Sequence, residues 1–197
     1  AKAPGVKMLE IDRSNPVPEP PFWGQRYVED LDPAALFPLI NEQALFRGRW
    51  GYRRGKMGAG EYEDLIIGTV RPLYQQLMER SLNEGWLQPK VSYGYFACQS
   101  QENSLLVTAD AQEYTFHFPR QAEAPFLCIA DYFKSAADGG DVAGFFVVTI
   151  GARIGEEIAR LYAANAYHDY LMLHGFSVEV TDALAEYWHR TMRRELG

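Results

Sequence analysis

The run Val91-Ser-Tyr-Gly-Tyr-Phe-Ala97 opens the part of the chain that decides the fold. It is followed by Ser104 to Thr108, Glu113-Tyr-Thr-Phe-His-Phe118, Phe126 to Phe133 and Val142-Ala-Gly-Phe-Phe-Val-Val-Thr-Ile150. Each run is short and rich in β-branched or aromatic residues, and polar or turn-forming stretches such as Gln99 to Asn103 and Asp138 to Asp141 separate them. Five such runs with no helical pattern between them predict an antiparallel meander. Glu113 to Phe118 alternates polar and apolar, which predicts a half-exposed strand, whereas Val142 to Ile150 is apolar almost throughout. That last run is expected to be central in the sheet and buried on both faces.

Outward from the sheet the period changes. Asp32 can cap a helix that begins with Pro33, and Leu36, Phe37, Leu39, Ile40 and Leu45 predict a helix over 33–46. A glycine-punctuated basic loop from Gly48 to Gly60 precedes a second amphipathic helix from Tyr62 to near Gly85, which Pro72 should kink or split. After Gly151 two further helices carry the stripes Ile154, Ile158, Leu161, Tyr162 and Leu173, Phe176, Val180, Leu184, Tyr187, with a break expected around Ala164 to His168. The fold class is therefore α+β, a twisted antiparallel meander flanked by helices. Residues 1–21 hold Pro4, Pro16, Pro18, Pro20 and Pro21 and are expected to run extended, as a linker or strap.

The 197 residues suffice for one domain with a substantial core. Apolar residues make up 47% and charged ones 23%, the balance of a globular chain, and no apolar run reaches the roughly 18 residues of a spanning helix. No secretory signal pattern is visible, so a cytoplasmic location is expected. Nineteen basic against twenty-six acidic side chains leave a net charge of −7, which argues against nucleic acid as the main partner. Cys98 and Cys128 form no CxxC and are expected to be buried free thiols.

The motif search returns mostly negatives: no HExxH, GxSxG, P-loop or GxGxxG between a strand and a helix. Gly151-Ala-Arg-Ile-Gly155 lies at a strand-to-helix junction and reads as a tight turn. His168-Asp169 looks like half of a metal-dependent phosphohydrolase motif without the further ligands that such a site needs. Glu156 and Glu157, like Glu61 and Glu63, are neighbours on their helices and point apart, so no acid/base pair emerges. No catalytic residue and no metal ligand is assigned.

The longer strings are more specific. In order along the chain stand Pro20-Pro-Phe-Trp-Gly24, Ile40-Asn-Glu-Gln-Ala-Leu-Phe-Arg-Gly-Arg-Trp-Gly51, Gly94-Tyr-Phe-Ala-Cys-Gln-Ser100, Phe118-Pro-Arg-Gln121, Cys128-Ile-Ala-Asp-Tyr-Phe133 and Tyr167-His-Asp-Tyr-Leu-Met-Leu-His-Gly-Phe-Ser-Val-Glu179, followed by Ala183-Leu-Ala-Glu-Tyr-Trp-His189. Together they resemble the activation domain, or S-adenosylmethionine-binding domain, of cobalamin-dependent methionine synthase. The resemblance runs from about residue 17 onward, making 22–197 an activation domain and 1–21 the linker from a preceding cobalamin module.

The resemblance implies a part in methyl transfer from methyltetrahydrofolate to homocysteine. The activation domain would bind S-adenosylmethionine and dock on the cobalamin module for reductive methylation of cob(II)alamin, with an electron from flavodoxin or an equivalent reductase. Neither nucleic acid nor membrane is an expected partner. An acidic family position that meets the ligand's amino group is matched by Asn41, a neutral acceptor without charge assistance. Phe46 and Trp50 would line the same region, and His174, Glu179, Asp182 and Glu186 would form the docking face, with Asp182 the foremost acid. The family's Arg-x-x-x-Gly-Tyr-Pro segment does not occur before Gly197, so a C-terminally truncated domain with an incomplete donor site is expected. Two other readings remain: a shortened docking module for a corrinoid protein, and an unrelated enzyme with its site at His168 and Asp169.

Overall fold

A computed structural model of the chain describes residues 11–197. The first half of the expected strap, residues 1–10, lies outside the described residues. Five strands, β1 (Gly24–Val28), β2 (Lys90–Gln101), β3 (Ser104–Ala109), β4 (Gln112–His117) and β5 (Asp141–Thr149), form one sheet in the order β1-β2-β3-β4, with β5 also paired to β2. The meander is realised in β2, β3 and β4, whose antiparallel register sets Ala97 opposite Thr108 and Ser104 opposite His117. Between β3 and β4, Asp110 and Ala111 both take positive φ, 50° and 62°, the shape of a two-residue hairpin turn whose twist matches the strands.

Three expectations for the sheet need correction. Phe126 to Phe133 is not a strand but a loop with a 3-10 turn at Ile129–Tyr132. The Asp131 carboxylate accepts the Cys128 N–H at 2.9 Å and both Arg120 terminal nitrogens at 2.6 and 2.7 Å, a local alternative to ladder pairing. The fifth strand is instead β1, whose exposed Gln25 and Arg26 gave no apolar alternation to read. Finally, β2 and not β5 holds the central place; β5 leaves Phe145 and Val147 exposed, and β4 is exposed along its whole length.

The predicted helix over 33–46 is two pieces, a 3-10 helix at Pro33–Leu39 and a π-helical turn at Ala44–Arg49. Asp32 caps the first as expected, accepting the Ala34 N–H at 2.9 Å. Pro38 lies near its end and has no N–H to carry the ladder on, and Ile40 turns extended, with ψ 130°. Helix α1 (Ala59–Leu65), a π turn at Ile66–Val70 and α2 (Arg71–Asn83) then follow without a gap. The widened turn sits directly before Pro72, where the bond to the carbonyl four residues back cannot form. Gly151, with φ +88°, makes the tight turn into α3 (Arg153–Ala163), and Asn165, with φ +56°, occupies the break before α4 (Tyr167–Leu196).

The described chain gathers into two compact units. The first comprises residues 11–26, Tyr93–Phe145 and Met192–Gly197; the second comprises Tyr27–Ser92 and Phe146–Thr191. The core of the first is Cys98, Leu105, Val107 and Ala143 with Phe96, Phe118 and Phe133 against it. Beside it Phe22 meets Tyr93 and Tyr95 edge-on at 5.3 and 5.2 Å, and the buried Tyr95 hydroxyl donates to Glu195 at 2.7 Å. Both cysteines are free and buried, as expected, and burial pushes the Cys98 thiol up to about 12. The second unit is built on Leu45, Phe46, Trp50, Tyr74, Phe176 and Leu184. Among the described residues no helix is long and apolar enough to cross a membrane.

Two outcomes are expected. A Cβ added at Gly94 would overlap the Gly24 carbonyl, a backbone atom that cannot swing away, so Gly94→Ala should lose about 3 kcal/mol in urea unfolding. An unchanged midpoint would mean that these strands are not held at that spacing. Arg120 beside Asp131 holds its carboxyl below the usual carboxylate range. That stabilisation is present above about pH 4 and is lost as pH falls through the folded value, so Arg120→Gln should flatten the decline in stability between about pH 5 and pH 2.

Candidate functional site

The sequence-predicted site residues all fall in the second unit, and one arginine organises them. Helix α4 carries His174, Asp182 and Glu186 exposed to solvent. Glu179, expected on the docking face with them, is 3% exposed, and its carboxylate accepts from Arg49 Nε at 3.0 Å. Its position explains this, because Glu179 stands four residues after Gly175 and so shares the helix face on which Gly175 is covered. A buried carboxylate is tolerated only with such a partner.

The chain delivers Arg49 to that face through the π turn at Ala44–Arg49. Trp50, next in sequence, lays its indole on α4 and donates Nε1–H to the Met172 carbonyl at 2.9 Å. A Cβ at Gly175 would stand 2.9 Å from Arg49 Cβ and 3.0 Å from Trp50 Cδ1 and Nε1, so only glycine admits this approach. Phe46 stacks on Trp50 at 5.5 Å, and Tyr74 meets both rings edge-on at 5.6 and 6.4 Å. Phe176 closes the cluster at 6.2 Å from both Phe37 and Tyr74. Burial, helped by the Glu42 charge, pushes the Tyr74 phenol up to about 12.

Phe46 and Trp50 are packed in the core of this unit, at 4% and 7% exposure. Asn41 is exposed, and its side-chain oxygen accepts the Ala44 N–H at 3.1 Å, opening the π turn as a helix-end residue does. The residue that sequence reading missed is Arg49. The signal for it was Glu179, an acid between Val178 and Val180 in an otherwise apolar stretch, which called for a cation somewhere in the chain.

Around Arg49 the electrostatics are those of a surface network. Its Nη2 lies 3.8 Å from Asp182, and Glu186 pairs with Arg190 at 2.6 Å one turn on. The His174 ring stacks on Tyr170 at 5.8 Å. His168 Nδ1 lies 3.2 Å from the Asp169 carboxylate, and both side chains are largely exposed. Among the described residues no three His, Cys, Asp or Glu side chains gather as metal ligands. A cavity of about 240 Å³ in this unit is lined by Leu77, Trp86, Arg80 and Arg160, but its cations are used: Arg160 forks onto Glu157 at 2.6 and 2.7 Å, and Arg80 bonds Glu84 and covers the Trp86 ring. The arrangement holds charges in place and offers acceptors at the surface.

The chain is similar to the methionine synthase of Mycobacterium tuberculosis (strain ATCC 25618 / H37Rv), 45% identical over 192 residues that cover 91% of this chain and 16% of that protein. It is 43% identical, over the same shares, to the methionine synthase of Mycobacterium leprae (strain TN). The chain therefore spans about one sixth of the length of these curated relatives. Its fold matches the crystal structure of the MetH reactivation domain bound to AdoHcy, with a TM-score of 0.78 and 20% identity, covering 94% of this chain and 60% of that one. The model of the vitamin B12 dependent methionine synthase activation domain matches residues 70–197, and the chain belongs to that family.

Proposed function

We propose that this chain works as the activation module of a cobalamin-dependent methionine synthase, a cytoplasmic methyltransferase that makes methionine from homocysteine and methyltetrahydrofolate. In this reading it binds S-adenosylmethionine, docks on the cobalamin module and supports reductive methylation of cob(II)alamin, the electron coming from flavodoxin or an equivalent reductase. The observation that carries it is the identity of 45% over almost the whole chain to a methionine synthase. The corrinoid supplies the reactive centre, and the protein supplies binding and orientation.

What the residues themselves would contribute is docking. Asp182, with its side chain 65% exposed, together with Glu186 and His174 gives α4 a polar surface on which an incoming imidazole N–H would find an acceptor. Arg49 has a positioning part: bonded to the buried Glu179 and lying near Asp182, it fixes where that surface stands. Donor binding is proposed to need residues beyond the set expected here, since Asn41, Phe46 and Trp50 are occupied by the fold. That same occupation favours a second reading, a module that docks on a corrinoid partner without holding the donor.

Calorimetric titration of S-adenosylmethionine into this chain, and into one lengthened to the whole solved domain, separates the two. Binding by the longer chain, with weak or no binding by this one, supports the donor-binding module; binding by neither, with both folded, supports docking alone. Asp182→Ala should leave the unfolding midpoint within about 0.5 kcal/mol and weaken capture of a cobalamin-loaded partner, whereas unchanged capture removes Asp182 from the interface. Arg49→Ala should cost about 2 kcal/mol in thermal or urea unfolding, because it leaves a buried carboxylate without its partner. Arg49→Ala together with Glu179→Leu should recover most of that loss.

A further inference from the structure

The last strand of the sheet path, β4, is an open edge. Among the described residues it pairs with β3 alone, and all six of its residues are exposed. Proteins usually blunt such edges with lysine, proline or a bulge, and Gln112-Glu-Tyr-Thr-Phe-His117 has none of these. Which backbone groups the edge offers follows from the register. Phe118 donates its N–H to Asn103, directly opposite it, so the even-numbered residues face β3. Bonded and non-bonded positions alternate along an antiparallel pair, so Glu113, Thr115 and His117 turn their N–H and C=O groups outward.

The strand is complementary to itself about Thr115. We propose that two copies of this chain pair through β4 in antiparallel register, with the two-fold axis at Thr115. Thr115 then faces Thr115 of the other copy and Glu113 faces His117, each pair exchanging both backbone bonds from outward-facing residues. On one side of the ribbon Glu113 meets the imidazole of His117, whose Nδ1 is already bonded to Ser104 Oγ at 2.8 Å. On the other side Tyr114 meets Phe116, an aromatic cross-strand pair made twice by the symmetry. This apolar side already leads outward from the core: Leu105 and Val107 are buried, their cross-strand neighbours Phe116 and Tyr114 are 40% and 49% exposed, and Phe116 stacks on Phe145 at 5.4 Å. A second copy covers the aromatic residues that the meander leaves open.

One six-residue strand per copy makes a small interface, so the association is weak and set by concentration. Sedimentation velocity from about 10 μM to about 1 mM should show a monomer converting to a dimer, since this range brackets dissociation constants typical of small interfaces. Thr115→Pro removes an outward N–H that β3 does not use and should raise the dissociation constant at least about tenfold. His117→Glu, which opposes two carboxylates, should weaken the dimer, and adding Glu113→His to it should restore the pairing because the opposed residues are exchanged. A monomer throughout the range overturns the proposal, as does a dimer whose midpoint neither Thr115→Pro nor His117→Glu moves.

Discussion

The second unit depends on how closely Trp50 can approach the backbone of helix α4. The indole lies where a side chain at position 175 would stand, and its N–H occupies the Met172 carbonyl, so the ring is fixed by one absent methyl group and one hydrogen bond. From that contact the rest follows. Phe46, one turn back, is brought onto the ring, Tyr74 and Phe176 fill the space around both, and Arg49 is carried to the buried Glu179. A bulkier residue at 175 would lift the π turn off the helix and take with it both the aromatic core and the ion pair.

The two π turns show why a proline or a tight contact need not end a helix. Ahead of Pro72 the backbone must do without one donor, and widening the turn over Ile66–Val70 lets the helix continue into α2 without a sharp break. At Ala44–Arg49 the widening has a different effect. Trp50 N–H reaches back to the Leu45 carbonyl at 2.9 Å, five residues away, and the extra residue in the turn places Arg49 and Trp50 side by side on α4. Neither turn has a sequence signature beyond its proline or its glycines, which is why the pattern over 33–46 read as one plain helix.

What was legible in the sequence was what periodicity reports. The helices after Gly151, the break at Asn165 and the hairpins of β2, β3 and β4 follow from spacing and turn residues, since these features are local. The errors were of two kinds. Phe126 to Phe133 has strand composition, but Asp131 draws Arg120 and the Cys128 N–H to itself and bends the run, a choice made by partners distant in pattern. Val142 to Ile150 reads as doubly buried because it is apolar, yet burial is decided by what covers a strand, and Phe145 and Val147 are left open. At the candidate site the exposed acids of α4 were legible from helical spacing. Glu179 was not, because the same spacing places it on the face that Trp50 and Arg49 cover, and only the fold reveals that cover.

The electrostatics of the site turn on the difference between Glu179 and Asp182, two acids three residues apart. Glu179 is buried and bonded to Arg49 at 3.0 Å, and the pair behaves as part of the scaffold. Asp182 is 65% exposed and 3.8 Å from the same guanidinium, a distance at which water competes for both groups. Arg49 is thus committed to Glu179 and only lightly engaged by Asp182. An approaching donor can take Asp182 without uncovering a buried charge, whereas breaking the Glu179 pair would expose the fold to that cost. One cation therefore serves both parts, anchoring the acid beneath and leaving the one above open for exchange.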